Sequence, residues 1–171
     1  LAATLSDTSE ASFEPWIAWS GNDQILARIG WHGEAHVVRF DRQGKKKPRR
    51  LTLGRVVLGP GNLSADGKRI VTTLDQPTAP PELHVGRISA TSISLKKRTS
   101  FNDQFVKTHT IAKPTMNWVR SADGTRVQTW VLKPPTSRGK RHPGIVEVHG
   151  GPHAQYGCTF FHEFQVLANA G

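Results

Sequence analysis

The stretch whose residue types and spacing can do chemistry is Val148-His149-Gly150-Gly151-Pro152-His153-Ala154-Gln155-Tyr156-Gly157. It follows Gly144-Ile145-Val146-Glu147-Val148, an apolar run that reads as a buried strand. Paired glycines after a strand let the backbone turn sharply with no Cβ in the way, so that an amide N–H can point at a bound substrate. Such a donor stabilises negative charge developing on a carbonyl oxygen, the work of an oxyanion hole. A glycine turn after a strand also has a purely structural reading, and the tripeptide alone leaves the choice open.

Other chemistries fit less well. His149, His153 and His162 suggest metal at first sight, since a four-residue histidine spacing suits a helical zinc site. Gly150, Gly151 and Pro152 lie between the first two and rule out an ordinary helix there, so no metal site is expected. Nor is a cofactor expected: no phosphate-cradling glycine loop or paired-carboxylate site stands out. Cys158 is the sole cysteine, with no partner for a disulfide or a cysteine-based zinc site, and it reads as a small buried or rim residue rather than a reactive thiol.

The elements that position the glycine turn follow from periodicity. Downstream, Phe160, Phe161, Phe164, Leu167 and Ala168 make an amphipathic helical pattern, with Thr159 as the expected cap, Glu163 in the first turn and Gly171 at the end. Strand, glycine turn and helix are how an α/β sheet begins. Upstream, from Trp16 to Leu132, short strands alternate with turns. Segments 25–29, 36–40, 69–74 and 83–88 are rich in β-branched or apolar residues, and Gly21-Asn22-Asp23, Asp41-Arg42-Gln43-Gly44 and Ala65-Asp66-Gly67 separate them. Asp75 to Pro81, with three prolines, reads as a loop between strands.

Trp19 to Ile25 lines up with Leu63 to Ile70 at roughly the 40- to 50-residue period of a β-propeller blade. Units of this kind cannot bury both faces alone and imply stacked neighbours. A third copy of the turn, Ser121-Ala122-Asp123-Gly124, breaks the period and marks a change of architecture. Both ends of the chain read as cuts, so more blades are expected before Leu1.

With 171 residues, 36% hydrophobic and 21% charged, the composition suits one domain plus part of another. No apolar run approaches the roughly 18 residues of a membrane span. The net charge of +10 arises from 23 Lys and Arg against 13 Asp and Glu. Its clusters, Lys45 to Arg50, Lys96 to Arg98 and Arg138 to Arg141, fall at expected turns rather than along one helix or among aromatics, so they read as solvated tips and not as a nucleic-acid surface. A single cysteine and no visible signal peptide fit a cytoplasmic protein.

Several stretches in a fixed order resemble the prolyl oligopeptidase family of serine peptidases, in its acylaminoacyl-peptidase and dipeptidyl-peptidase-like branch. They are Thr73 to Val85, Phe101-Asn102-Asp103, Trp118 to Leu132, Lys133-Pro134-Pro135, His149 to Gly157 and Phe160 to Gln165. The resemblance covers roughly Trp16 to Gly171 and is strongest from Ser64 onward. It implies the C-terminal blades of a β-propeller over residues 1–115, followed over 116–171 by the first strands, oxyanion loop and first helix of an α/β-hydrolase domain. It further implies an enzyme cleaving short or N-acylated peptides through an acyl-enzyme.

Carried over by position, the resemblance makes Gly151 the backbone N–H donor and Gly150 and Pro152 the residues that set the turn. His149 stands where some relatives place a tyrosine whose hydroxyl is a donor, so it either replaces that donor or supports the loop. In such folds the second donor follows the nucleophile, and serine, acid and histidine come in that order after the glycine turn. Here no Gly-x-Ser-x-Gly occurs and no serine follows Ser137, so nucleophile, acid and base are absent and the 171 residues alone are expected to be inactive. The intact protein is read as taking a short peptide substrate, with no nucleic acid or membrane partner and with self-association left open. An esterase or lipase using the same turn, and a non-catalytic propeller interaction module, are the competing readings.

Overall fold

The computed structural model describes residues 16–136, 141–151 and 154–171. Among these, nine strands form one sheet and two more form a separate hairpin. The sheet begins with β1 (Ile17–Trp19), β2 (Gln24–Trp31), β3 (Glu34–Asp41) and the short β4 (Arg49–Arg50), an antiparallel run in which β2 and β3 pair from Gln24↔Asp41 to Trp31↔Glu34. A second antiparallel run contains β5 (Val57–Leu58), β6 (Asn62–Leu63), β7 (Arg69–Gln76), β8 (Ala79–Ile88) and β9 (Ile93–Lys97). The two runs join through one parallel bridge, Ala35↔Val57.

Burial distinguishes these strands. In β7, Ile70 and Thr72 are buried while Arg69, Val71 and Thr73 are exposed, the alternation of a strand with one dry face. In β2, five consecutive residues from Leu26 to Gly30 are buried, so both faces of the sheet are covered there. Leu26, Val37, Leu51, Val56, Leu58, Ile70 and Ile93 pack together on one side, and Ala27, Ile29 and Val38 with Phe40 on the other. Each fully buried aliphatic side chain of this kind contributes about 1.5–3 kcal/mol.

Two-sided burial leaves polar residues of β2 and β3 with few places to turn. Arg28, 1% exposed, donates from Nε to the carbonyl of Leu58, and burial pushes its pKa down to about 10, so it stays cationic at neutral pH. His36 lies between Thr52 Oγ1 at 3.1 Å and Glu34 Oε2 at 3.0 Å.

The repeated turn is built the same way at its second and third occurrences. Ser64 N–H donates to Arg69 O and Gly67 N–H to Ser64 O; Ser121 N–H donates to Thr125 O and Gly124 N–H to Ser121 O. In each, the serine hydroxyl meets the aspartate carboxylate two residues on. The third copy closes β10 (Thr115–Arg120) onto β11 (Arg126–Val131), outside the nine-stranded sheet. Between the sheet and this hairpin lies α1 (Asp103–Thr108).

Four expectations need correction. Asp75 to Pro81 is not an open loop. Gln76↔Ala79 close a two-residue turn at Pro77-Thr78, and Pro80 and Pro81 lie inside β8. A register shift between Leu74 and Gln76 sets two prolines opposite one residue, a bulge that relieves the missing N–H groups. The Lys96-Lys97-Arg98 cluster is not a turn either: Lys96 and Lys97 end β9, at the edge of the sheet, where lysines discourage further strand pairing.

The run 144–148 is not a buried strand. It pairs with no strand among the described residues, and Ile145, Val146 and Val148 are exposed at 62%, 87% and 79%. A strand needs at least one partner to pair with, and the nearest strands in sequence, β10 and β11, pair only with each other. Finally, Thr159 does not cap the last helix. That helix, α2 (His162–Ala170), starts after Phe161, which is extended at φ −98°, ψ 107°. The helix starts late because the two rings before it have different partners, Phe160 meeting Phe105 and Phe161 meeting Tyr156 and Phe164. Glu163 does fall in the first turn and Gly171 does end the helix, at φ +109°. Among the described residues no helix is long and apolar enough to cross a membrane.

Candidate active site

The glycine turn follows the unpaired apolar run 144–148. Gly151 has φ +141°, a conformation that glycine adopts far more readily than residues with a Cβ. A Cβ at Gly150 would meet nothing within 4 Å, so that side of the turn is open. His149 is half-buried, and its Nδ1–H donates to the carbonyl of Gly150 at 2.9 Å. This bond fixes the ring against the turn it precedes and spends Nδ1 on the backbone. Pro152, with its expected turn-setting role, and His153 lie outside the described residues.

An aromatic cluster holds the turn to the start of α2. The His149 ring meets Tyr156 edge-on at 5.9 Å, and Tyr156 meets Phe161 and Phe164 edge-on, each at 5.1 Å. Phe161 and Phe164 stack at 4.8 Å. Edge-to-face pairs of this kind contribute about 0.5–1.5 kcal/mol beyond their burial. Beside the cluster lies an apolar groove bounded by Trp130, Leu132, Pro143, Ile145, Phe164 and Ala168.

The backbone after the turn is gripped by the nine-stranded sheet. The turn between β2 and β3 has His32 at φ +51° and Gly33 at φ +76°, as a tight two-residue hairpin requires. Its Gly33 carbonyl accepts Cys158 N–H at 2.7 Å. Cys158 is fully buried against Ala35, Val57 and Trp130, and burial pushes its thiol up to about 12. Of the two placements the sequence allowed, buried or at a rim, Cys158 takes the buried one.

Two residues farther on, Phe160 N–H donates to Asp75 Oδ1 at 3.0 Å. Burial raises the Asp75 carboxyl to about 6, against the opposing effect of that bond and one from Gln76 N–H. The bulge that accommodates the prolines is what aims Asp75 here. Gln165, buried in the middle of α2, forms a paired amide contact with Ala112, accepting its N–H at 2.8 Å and donating to its carbonyl at 3.0 Å. The roles of Gly33, Asp75, Tyr156 and Gln165 did not stand out in the sequence; an aspartate beside a proline cluster and a glutamine at a core position of an amphipathic helix are the only signals by which Asp75 and Gln165 could have been found.

One buried chain has the look of catalytic machinery. Thr52 Oγ1, His36 and Glu34 are linked in the order nucleophile, base and acid. Thr52 and His36 are 3% and 1% exposed, Thr52 Oγ1 already accepts Val37 N–H, and burial holds the His36 imidazole below its ordinary pKa. A substrate cannot reach it, and its work is to satisfy polar groups in the sheet. Among the described residues no three His, Cys, Asp or Glu side chains gather as metal ligands would.

Comparison with known proteins agrees with this architecture. No family model matches the sequence. The uncharacterized peptidase YuxL of Bacillus subtilis (strain 168) is 33% identical over 175 residues, which span 99% of this chain and 25% of that protein. The acylaminoacyl peptidase of Pyrococcus horikoshii superposes with a TM-score of 0.72 at 22% identity, over 91% of this chain and 24% of its own. Dipeptidyl peptidase 4 of Porphyromonas gingivalis does so at 0.69 and 15% identity, over 92% and 23%. The chain is thus similar to a peptidase over nearly its whole length, and it shares the fold of the matching region of an acylaminoacyl peptidase and a dipeptidyl peptidase. It spans about a quarter of the length of these relatives.

Proposed function

We propose that this chain is part of a serine peptidase that hydrolyses short or N-acylated peptides through an acyl-enzyme, and that its own catalytic contribution is the backbone N–H of Gly151. The observation that carries this reading is the glycine turn itself: Gly151 at φ +141°, with the preceding carbonyl held by His149 and the open side at Gly150 free for a substrate. As a serine oxygen attacks the peptide carbonyl, its oxygen gains negative charge, and an N–H fixed in advance stabilises that charge without reorganising. Gly150 gives the turn its room. The bond from His149 to Gly150 supports a loop-holding role for that side chain rather than direct donation.

In this reading the described residues up to 115 belong to the last blades of a β-propeller, and those from 116 begin an α/β-hydrolase domain. The exposed Ile145, Val146 and Val148 fit a strand whose neighbours come from sequence outside these 171 residues. Nucleophile, acid and base come from there as well, so the 171 residues alone do not turn over peptide. The test is to label the full-length protein with a serine-reactive fluorophosphonate and assay chromogenic short and N-acylated peptides beside simple esters. Labelling with peptide turnover is expected. No labelling, or ester turnover with none on peptides, contradicts the proposal.

A further inference from the structure

We infer that the His32-Gly33 turn between β2 and β3 is a positioning strut for the glycine turn, so that the nine-stranded sheet sets the placement of the oxyanion donor. This rests on the reading of Gly151 as that donor. The strut is seated on both sides. On one, the His32 carbonyl accepts Gln128 Nε2–H at 2.9 Å, and the His32 ring meets Trp118 edge-on at 5.0 Å, which ties the tip to the β10–β11 hairpin. On the other, the Gly33 carbonyl accepts Cys158 N–H.

Contact at Gly33 leaves no slack. A Cβ there would lie 2.9 Å from Gly157 Cα and 3.2 Å from both the Tyr156 carbonyl oxygen and Trp130 Cζ2. The tip therefore presses on the backbone of residues 156–158. Tyr156 passes that placement on, because its ring touches His149, whose Nδ1 holds the Gly150 carbonyl. Each step is a packed contact or a hydrogen bond, and a displacement at Gly33 moves the turn that aims Gly151. Gly33 and Tyr156 are positioning residues: neither contacts the reacting atoms.

The test uses full-length protein and the variant Gly33→Asn. Asparagine tolerates positive φ better than other residues with a Cβ, so the substitution chiefly adds the crowding atom. A misplacement on the order of 1 Å can cost about 100-fold in rate, so kcat should fall about 10- to 100-fold. KM should stay within about threefold, the split expected when only transition-state contacts are lost. Hydrogen exchange at the Cys158 amide should accelerate. Gly21→Asn, also at positive φ but with no neighbour within 4 Å, should keep wild-type kcat.

If Gly33→Asn does not fold, Tyr156→Leu decides the matter, since it cuts the ring contact and leaves the Gly33–Cys158 bond in place. A reduced kcat with the Cys158 amide still protected supports the strut, and an unchanged kcat overturns it. Gly151→Val separates the two levels. If Gly151→Val is impaired while Gly33→Asn turns over normally, the strut is wrong and the oxyanion reading stands. If Gly151→Val turns over normally, the oxyanion reading falls and the strut falls with it.

Discussion

Cys158 donates its backbone N–H to the carbonyl of Gly33 at 2.7 Å, and its side chain is buried beneath the turn that makes this bond. The thiol is held near a pKa of about 12 by burial, with Glu34 acting in the same direction. It should not react with a disulfide reagent such as dithionitrobenzoate at pH 8 in folded protein, and should react fully on denaturation. Cys158→Ser should destabilise the fold by about 1–3 kcal/mol by placing a hydroxyl among Ala35, Val57 and Trp130. Rapid modification under native conditions would show that the segment is not seated on the sheet as described.

Asp75 should make stability fall as pH rises. Its carboxyl titrates near 6 in the folded protein, against an ordinary value of 3.8, because burial penalises the charge. A raised carboxyl pKa means that the folded state holds its proton longer, so this contribution is complete below about pH 4 and is lost as pH climbs through 6. Solvent screening at this half-buried site holds the effect to about 1–2 kcal/mol. Asp75→Asn keeps an acceptor for Phe160 N–H and removes the charge. Denaturant unfolding at pH 4 and pH 8 should show the difference between the two proteins appearing only at the higher pH, in favour of Asn. A difference independent of pH would contradict the assignment.

Gln165 should matter more than its place on a helix suggests. Gln165→Leu leaves the buried N–H and carbonyl of Ala112 without the amide that pairs with both. A stranded group costs about 1–3 kcal/mol, so a shift of that size or more is expected in urea unfolding, whereas exposed Val166→Ala should change little. Equal effects at the two positions would argue against the paired contact.

What the sequence made legible was mostly local. The strands at 25–29, 36–40, 69–74 and 83–88 stood out because β-branched residues and turn formers are punctuated at short range, and all four lie inside observed strands. The Ser-Ala-Asp-Gly turns were legible because serine, aspartate and glycine satisfy one another within five residues. The run 144–148 misled because an apolar sequence reports a preference for burial, while pairing depends on strands elsewhere. Thr159 misled because a capping residue was overruled by the rings at 160 and 161, which are committed to separate partners before the helix begins. Gly33, Asp75 and Gln165 were invisible because their partners lie far away along the chain, and only the fold brings them to the glycine turn and α2.

The central claim is that the Gly151 N–H stabilises the transition state and does little for the ground state. Gly151→Val in the full-length protein is the direct measurement, with thermal unfolding recorded alongside. A β-branched residue is strained at φ +141° and crowds the oxygen that the N–H should meet. Loss of one such donor typically costs about 2.7–4 kcal/mol, so kcat on a short N-acylated peptide should fall about 10²- to 10³-fold while KM stays nearly constant. A folded Gly151→Val protein whose kcat remains within about threefold of wild type would contradict the account.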